Sequence, residues 1–425
     1  MGNSIHPSNG LSSARAVEVS SSQQRVDNLF WWIIFLAIVL RAIWALLVPV
    51  IPLSDGNAYD TFALNIVQHG TYGWRAGLPS AYWPVGTSAI YALFFSIFGH
   101  TYWPITIFNI LVGTGLVAVT MLLGKKLFSA KVGYIAGTIL AIWPSQVMYV
   151  TVLASELPFT FLTVTGLLLW LGEKLTLTTT VAIGILLAAA SYVRPLALLL
   201  PLVFAAIEIV RHRQWVQQVR RALVVCLVMI ALITPWTVRN YLAFGEFVLI
   251  STNGPVTLWM GNHAGTDGTY SKLPDWTGTM SEYERAQALG KVARDYIIDH
   301  PVEFIVRSLT KLAKVHINET IAVHWNKKGI EETFGSTTIF PFKLLTQGYW
   351  MLALFTAIAG GFLLFRQLGM IQWTFHPAIA LWGYFALVHA IILSQDRYHF
   401  PSIPYITILS AYALTILFRK LGKAP

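Results

Sequence analysis

Long apolar runs separated by brief polar stretches dominate the chain. A membrane-crossing helix needs about 20 mostly apolar residues, and about ten runs approach that length. They lie near residues 29–48, 103–123, 131–150, 157–172, 179–192, 196–210, 222–236, 345–365, 377–394 and 401–418. The stretch Thr87–Phe98 is apolar but short, and is expected to lie in the interface rather than to span. After the first run the chain reads Leu53-Ser54-Asp55-Gly56-Asn57-Ala58-Tyr59-Asp60-Thr61-Phe62-Ala63. Gly56 and Asn57 allow a tight turn, and Tyr59, Phe62, Ala63 and Ile66 recur at helical spacing, so an interfacial helix is expected from near Asp60. A polar segment of about 100 residues, from Asn240 to Phe342, exceeds any ordinary loop. In it Phe247–Thr252 has β-character, and Asn253-Gly254-Pro255 and Gly261-Asn262-His263 are turns. Ser281 with Glu284 forms a capping box for a helix to His300, and Pro301 opens a second helix to about His316. The pattern predicts an all-α polytopic membrane protein in four parts. These are a disordered tail (1–28), an N-terminal transmembrane module with its first outer loop at 49–102 (29–240), an outer-side α/β loop domain (241–342), and C-terminal transmembrane helices with a tail (343–425).

Composition agrees. The chain is 56% hydrophobic and 11% charged, with mean hydropathy +0.61, whereas a soluble domain carries about 25% charged residues. The net charge of +10 is explained by orientation rather than by nucleic acid. Lys125, Lys126, Lys131, Lys174, Arg211, Arg213, Arg220, Arg221, Arg366, Arg419, Lys420 and Lys423 all fall between or after runs on one side, which the positive-inside rule makes cytoplasmic. Both termini are then inside, and Asp55 and the long polar segment are outside. Cys226, the single cysteine, sits in an apolar run and leaves no intrachain disulfide. The Ser-rich N-terminal residues lack the apolar core of a signal peptide, and His6 stands where a myristoylation signal needs Ser or Thr.

Several outward ends of the apolar runs carry ionisable residues: Ser155-Glu156, Arg194-Pro195, Pro235-Trp236-Thr237-Val238-Arg239-Asn240, and Gln395-Asp396-Arg397-Tyr398-His399-Phe400-Pro401. Such residues are costly at membrane depth and usually functional. Acids and arginines converging on one face can supply a base and a phosphate site. Simpler roles compete: helix capping for Asp55 and Glu156, pairing with Asp396 for Arg397, span anchoring for Arg239, solvation for Arg75, an interhelical salt bridge for Arg194, and structural pairing or snorkelling for Arg41. His316, Glu319 and His324 do not have zinc-motif spacing, and neither a metal nor a cofactor is expected.

The Asp-then-Tyr loop after the first run resembles that of the polyprenyl-phosphate-dependent GT-C glycosyltransferases, within them the bacterial branch related to protein O-mannosyltransferases and the lipid A aminoarabinose transferase. Tyr82-Trp83-Pro84-Val85-Gly86 resembles the family's aromatic-Pro-Pro-Gly stretch, with Val85 replacing the second proline. Ser155-Glu156, Arg194-Pro195, Pro235-Trp236…Arg239-Asn240-Tyr241 and Arg397-Tyr398…Pro401 match in order. Many relatives place a second acid after the first, but here Gly56 follows Asp55, which leaves Asp60 or Glu156 for that part. The resemblance implies a GT-C-like bundle with outer interfacial helices and a small outer domain, in a bacterial inner (plasma) membrane, with its site on the periplasmic or extracellular side. It implies inverting transfer of a sugar from a polyprenyl-phosphate donor to a hydroxyl or amine on a glycan, lipid or protein acceptor. Asp55 would be the general base and Glu156 its partner; Tyr59, Asp60, Arg75, Tyr82, Arg194, Arg239, Arg397 and His399 would contact the substrate or its phosphate. Two rival readings are a lipid-linked glycan polymerase or ligase with a diphosphate donor, and a lipid or sugar transporter or flippase. The second would favour discontinuous spans, charged midplane residues and internal repeats.

Overall fold

The computed structural model describes residues 10–172 and 176–421; Lys174, Lys423 and the first nine residues of the expected tail lie outside the described residues. Among the described residues the chain is helical, with no strand beyond an isolated bridge between Arg75 and Leu78. The first helix, α1 (Gly10–Leu47), starts well ahead of its apolar run and takes in residues 10–28 of the expected tail. A helix already nucleated in the apolar run extends into these residues at low cost.

Two short outer helices follow, α2 (Asp55–His69) and α3 (Gly86–Phe98), packed on each other through Tyr59, Ala63, Tyr91 and Phe95. The second matches its expected range. The first begins at Asp55 rather than near Asp60, because Ser54 takes a left-handed φ of 54° and turns the chain straight into the helix. Gly56 is thus not a turn residue: it lies in the first turn of α2, where a Cβ would stand 3.2 Å from the Leu153 carbonyl.

The bundle then runs through α4 (Trp103–Leu127), α5 (Ala130–Ala141), α6 (Pro144–Met148), α7 (Glu156–Trp170), α8 (Leu177–Val193), α9 (Leu200–His212) and α10 (Trp215–Phe244). The run expected as one span at 131–150 is split at Trp143-Pro144, since proline removes a helix hydrogen bond and forces the preceding residue into extended backbone. A second break at residues 152–155 bends the Pro144–Thr151 segment from α7 by 118°. Non-helical backbone at this depth must find partners within the protein; the Asn109 side-chain amide donates to the carbonyls of Val150 and Val152, at 3.2 and 3.4 Å. Among the described residues six helices are long and apolar enough to cross a membrane, or seven if the bent pair counts as one span, and Ala130–Ala141, Leu177–Val193 and Pro377–Ile391 are shorter apolar helices.

The outer segment holds α11 (Asn253–Gly261), α12 (Glu282–Asp299), α13 (Pro301–Ile317), α14 (Ile321–Trp325) and α15 (Lys327–Phe334). The Ser281–Glu284 capping box is present. The expected β-character of 247–252 is not realised. Its carbonyls are taken by side chains of α10 instead of a ladder: Asn240 donates to Val248 and Ile250, Trp236 to Ile250, and Thr237 to Leu249. Helix α13 is inverted relative to a water-facing helix. Val302, Ile305, Val306 and Leu309 point outward and Arg307 and Lys311 are buried, an outward face suited to acyl chains. Lys311 donates to Asn262 Oδ1 at 2.9 Å and to the Ile391 carbonyl at 2.8 Å. The chain closes with α16 (Ile339–Leu368), α17 (Met370–Thr374), α18 (Pro377–Ile391) and α19 (Ile403–Leu421). Helices α16 and α19 cross at Gly360, where a Cβ would fall 2.1 Å from the Leu409 carbonyl.

Two expectations follow. Gly360→Ala should lower thermal stability by about 1–3 kcal/mol by forcing these helices apart, read as the melting temperature of detergent-purified protein; an unchanged melting temperature would contradict the close crossing. With Cys226 replaced, cysteines at the exposed Lys272 and Lys328 should react with an impermeant maleimide in intact cells. Labelling that requires permeabilisation would reverse the orientation.

Candidate active site

Four chain breaks meet at one end of the bundle, and each delivers one charged side chain. The start of α2 presents Asp55. The 152–155 break presents Ser155 and Glu156 at the head of α7. The Arg194-Pro195 step, which ends α8, presents Arg194. The loop between α18 and α19 presents Arg397. Arg397 Nη1 lies 2.8 Å from Asp55 Oδ2 and 3.6 Å from Glu156 Oε1. Glu156 Oε1 also pairs with Arg194 Nη2, and Arg194 Nε donates to Ser155 Oγ at 2.9 Å. The result is a continuous chain of charge, Asp55–Arg397–Glu156–Arg194. Arg397 is further fixed by Gln395 Oε1 at 2.8 Å and by the faces of Trp325 and Tyr398, 4.7 and 5.3 Å from its guanidinium carbon. Burial works against its charge, yet Asp55, then Tyr398 and Glu156, hold its pKa well above the ordinary arginine value.

This chain of charge lies against a cavity of about 1530 Å³ between the bundle and the outer helices. Asp55, Tyr59, Tyr82, Ser155, Arg194 and Arg397 line it from the bundle side, and Arg285, Lys314 and Trp325 from the outer segment. Glu156 is fully buried behind the two arginines and does not line the cavity; its Oε2 has no hydrogen-bond partner. Its contacts in the structure are with Arg194 and Arg397. Tyr59 is buried with its hydroxyl 3.5 Å from Ser155 Oγ. Burial, then the charge of Asp55, pushes the Tyr82 phenol up to about 12, so it remains a hydrogen-bond donor at neutral pH. Asp396 also lines the cavity, and burial raises its pKa. It makes no ion pair with Arg397; Thr320 approaches it at 3.4 Å.

The remaining expected site residues lie elsewhere. Asp60 pairs with His100 at 2.9 Å and does not line the cavity. It follows Asp55 by five positions, about 140° around the helix, whereas Tyr59 is only about 40° away. Arg75 is exposed on its turn, away from the cavity. Arg239 spends its donors on the carbonyls of Ser80 and Tyr72, at 2.9 and 3.3 Å, and stacks on Trp236. It staples the first outer loop to α10 and does not reach the cavity. His399 is buried between the Val315 carbonyl, 2.7 Å away, and Glu319, stacked on Trp350. Glu319 in turn takes the Ser145 hydroxyl, His316 accepts from the Trp382 indole, and His324 faces the cavity, so the three residues weighed as metal ligands part company. Arg41 donates to the Ala37 and Ala141 carbonyls inside the bundle. Sequence reasoning missed Ser155, Gln395, Asp396 and Tyr398 as site residues, although each lies within two positions of one that it named. Arg285, Lys314 and Trp325 come from the outer segment, where no local pattern marks them.

Residues 83–238 match the family model described as dolichyl-phosphate-mannose-protein mannosyltransferase. That match includes Glu156 and Arg194 but stops short of Asp55 and Arg397. No curated protein sequence matches the chain. Among solved structures it is similar to ArnT from Cupriavidus metallidurans bound to undecaprenyl phosphate. The identity is 15% and the TM-score 0.57, over 92% of this chain and 62% of that one. It is also similar to the archaeal oligosaccharyltransferase AglB from Archaeoglobus fulgidus, in complex with an inhibitory peptide and a dolichol-phosphate. There the identity is 12% and the TM-score 0.55, over 92% of this chain and 51% of AglB. The chain thus spans about half the length of AglB. By fold it is an all-helical protein similar to these GT-C structures, with several helices long and apolar enough to cross a membrane.

Removing the buried member of the charge chain should be costly. Glu156→Ala leaves Arg194 without its carboxylate and should destabilise by about 3–5 kcal/mol. Glu156→Gln, which keeps an acceptor, should cost less. Thermal unfolding of the two purified variants checks the order, and a wild-type melting temperature for Glu156→Ala would mean that the pair is dispensable.

Proposed function

We propose that the protein is an inverting glycosyltransferase. It moves a sugar from a polyprenyl-phosphate donor to a hydroxyl or amine acceptor on the outer face of a bacterial inner membrane. The observation that carries this reading is Asp55, a carboxylate held by a cation-stacked arginine in the wall of a large cavity, at the point where bundle and outer helices meet. The family model and the lipid phosphates bound to the similar structures favour the same donor class.

The geometry supplies the following chemistry. The acceptor's O–H or N–H reaches Asp55 Oδ1 or Oδ2, which takes the proton as the new bond to the anomeric carbon forms. The bond from that carbon to the phosphate oxygen breaks with its electron pair, and the polyprenyl phosphate leaves from the opposite face. Arg397 holds Asp55 in one orientation through the 2.8 Å pair, aimed at the acceptor's proton. Arg194 and Glu156 hold Arg397. Tyr82 offers a hydroxyl donor to the sugar in the same wall.

Asp55→Asn keeps shape but not basicity. Turnover of purified enzyme should fall by roughly 10²-fold or more, with the melting temperature little changed. More than about a tenth of wild-type turnover would remove Asp55 as the base. Arg397→Lys should recover only part of the activity lost in Arg397→Ala, because an ammonium keeps the charge but loses the planar contacts to Trp325, Tyr398 and Gln395. Full activity in the lysine variant would reduce its role to charge alone. Transfer from a lipid diphosphate sugar but not from a lipid monophosphate sugar would favour the polymerase or ligase reading instead.

A further inference from the structure

Inversion places base and leaving group on opposite faces of the anomeric carbon. A cation bound to the base therefore lies on the acceptor side, and the departing phosphate needs another. Four lysine or arginine side chains line the cavity: Arg194, Arg285, Lys314 and Arg397. Three of them are already matched by a carboxylate, Arg397 by Asp55, Arg194 by Glu156 and Lys314 by Asp267 at 2.8 Å. Arg285 is the exception: among the described residues no acid lies within 4.0 Å of it.

The nearest acid in sequence, Glu282, is engaged elsewhere. It takes the Ser80 hydroxyl at 2.6 Å, the Ala81 N–H at 2.8 Å and the Thr252 hydroxyl at 2.8 Å. Arg285 itself makes one long bond, from Nη2 to the Met280 carbonyl at 3.3 Å, and its Nε is buried with no partner. A guanidinium with free donors and no counter-charge, in a cavity wall where all other such cations are paired, is short of an anion. Its place relative to the base is fixed by α12, whose Ala286 and Leu289 share one apolar cluster with Tyr82 and Tyr398, the latter adjacent to Arg397.

We propose that Arg285 binds the phosphate of the polyprenyl-phosphate donor and receives its growing charge as the glycosidic bond breaks. The charge balance of the reaction supports this. Asp55 loses its negative charge on taking the proton. The phosphate passes from a diester with one charge to a monoester with nearly two. Negative charge thus moves from the Arg397 side of the cavity to the phosphate, where an unmatched cation is worth more in the transition state than in the ground state.

This assignment rests on the donor class proposed above, and one binding experiment separates the two. Full-length protein in nanodiscs is titrated with undecaprenyl phosphate, and with undecaprenol as the neutral control. Wild type should prefer the phosphate. Arg285→Gln should weaken phosphate binding by about tenfold or more, while undecaprenol binds as before. Arg285→Lys should retain most of the affinity, because a charge remains. Lys291→Gln, on the exposed side of the same helix, should bind as wild type does. If wild type shows no preference for undecaprenyl phosphate over undecaprenol, the donor class falls, and Arg285 with it. If wild type prefers the phosphate and Arg285→Gln does so equally, the donor class stands and the role of Arg285 is overturned. Equal weakening of undecaprenol would also overturn it, as a packing effect.

Discussion

The ion pairing of Asp55 with Arg397, continued through Glu156 to Arg194, is the constraint around which one end of this bundle is organised. Glu156 and Arg397 are buried, and neither can be left alone there without a large desolvation cost. Each is delivered by an interruption of regular structure. Ser54 turns the chain into α2, the bent backbone at 152–155 starts α7, the Arg-Pro step ends α8, and the loop before α19 carries Arg397. Helix breaks inside a membrane bundle expose backbone groups that have no water to satisfy them. Here the breaks are gathered in one place, where Asn109 and the protein's own side chains serve them.

The outer segment is less a separate domain than the other half of this site. Helix α13 turns its charged residues inward, and Lys311 donates to the Ile391 carbonyl at the end of α18. That end leads directly into the loop bearing Gln395, Asp396 and Arg397. Trp325, on α14, then closes over the Arg397 guanidinium. A lysine at this position holds a helix terminus in place through three acceptors besides Ile391: Asn262 Oδ1, and the Gly261 and Ile392 carbonyls at the longer distance of 3.4 Å. Its fixing of the loop is purely a matter of hydrogen bonds, since none of these acceptors is an acid.

Much of the fold was legible because apolar runs and proline steps are local signals. The membrane class, both outer helices, the capping box at Ser281 and the Pro301 start all came from short-range pattern. Where a run was broken, as at Trp143-Pro144, length alone misled, and a strand-like composition at 247–252 was overridden by side chains from α10. The clustering of charge was legible where motif and position coincided: Asp55, Glu156, Arg194 and Arg397 converge, and Tyr59 and Tyr82 stand beside them. Arg75, Arg239 and His399 carry similar residue types, yet Arg75 is left exposed on its turn, and the donors of Arg239 and His399 go to backbone and buried partners. Which arginine is free and which is spent is a tertiary property, and Arg285 could be singled out only after every other cation's partner was known.

The left-handed backbone of Ser54, immediately before the proposed base, gives this fold a particular evolutionary weakness. A non-glycine residue held there costs of order 1 kcal/mol or more, maintained by the packing around it. Glycine would relieve the strain but give the Asp55 carboxylate more freedom at its root. Lineages selected for heat tolerance would thus meet a conflict at this position, since the substitution that eases the backbone loosens the group whose placement the chemistry uses. Stability gained elsewhere, in the lipid-facing helices far from the cavity, would carry no such penalty.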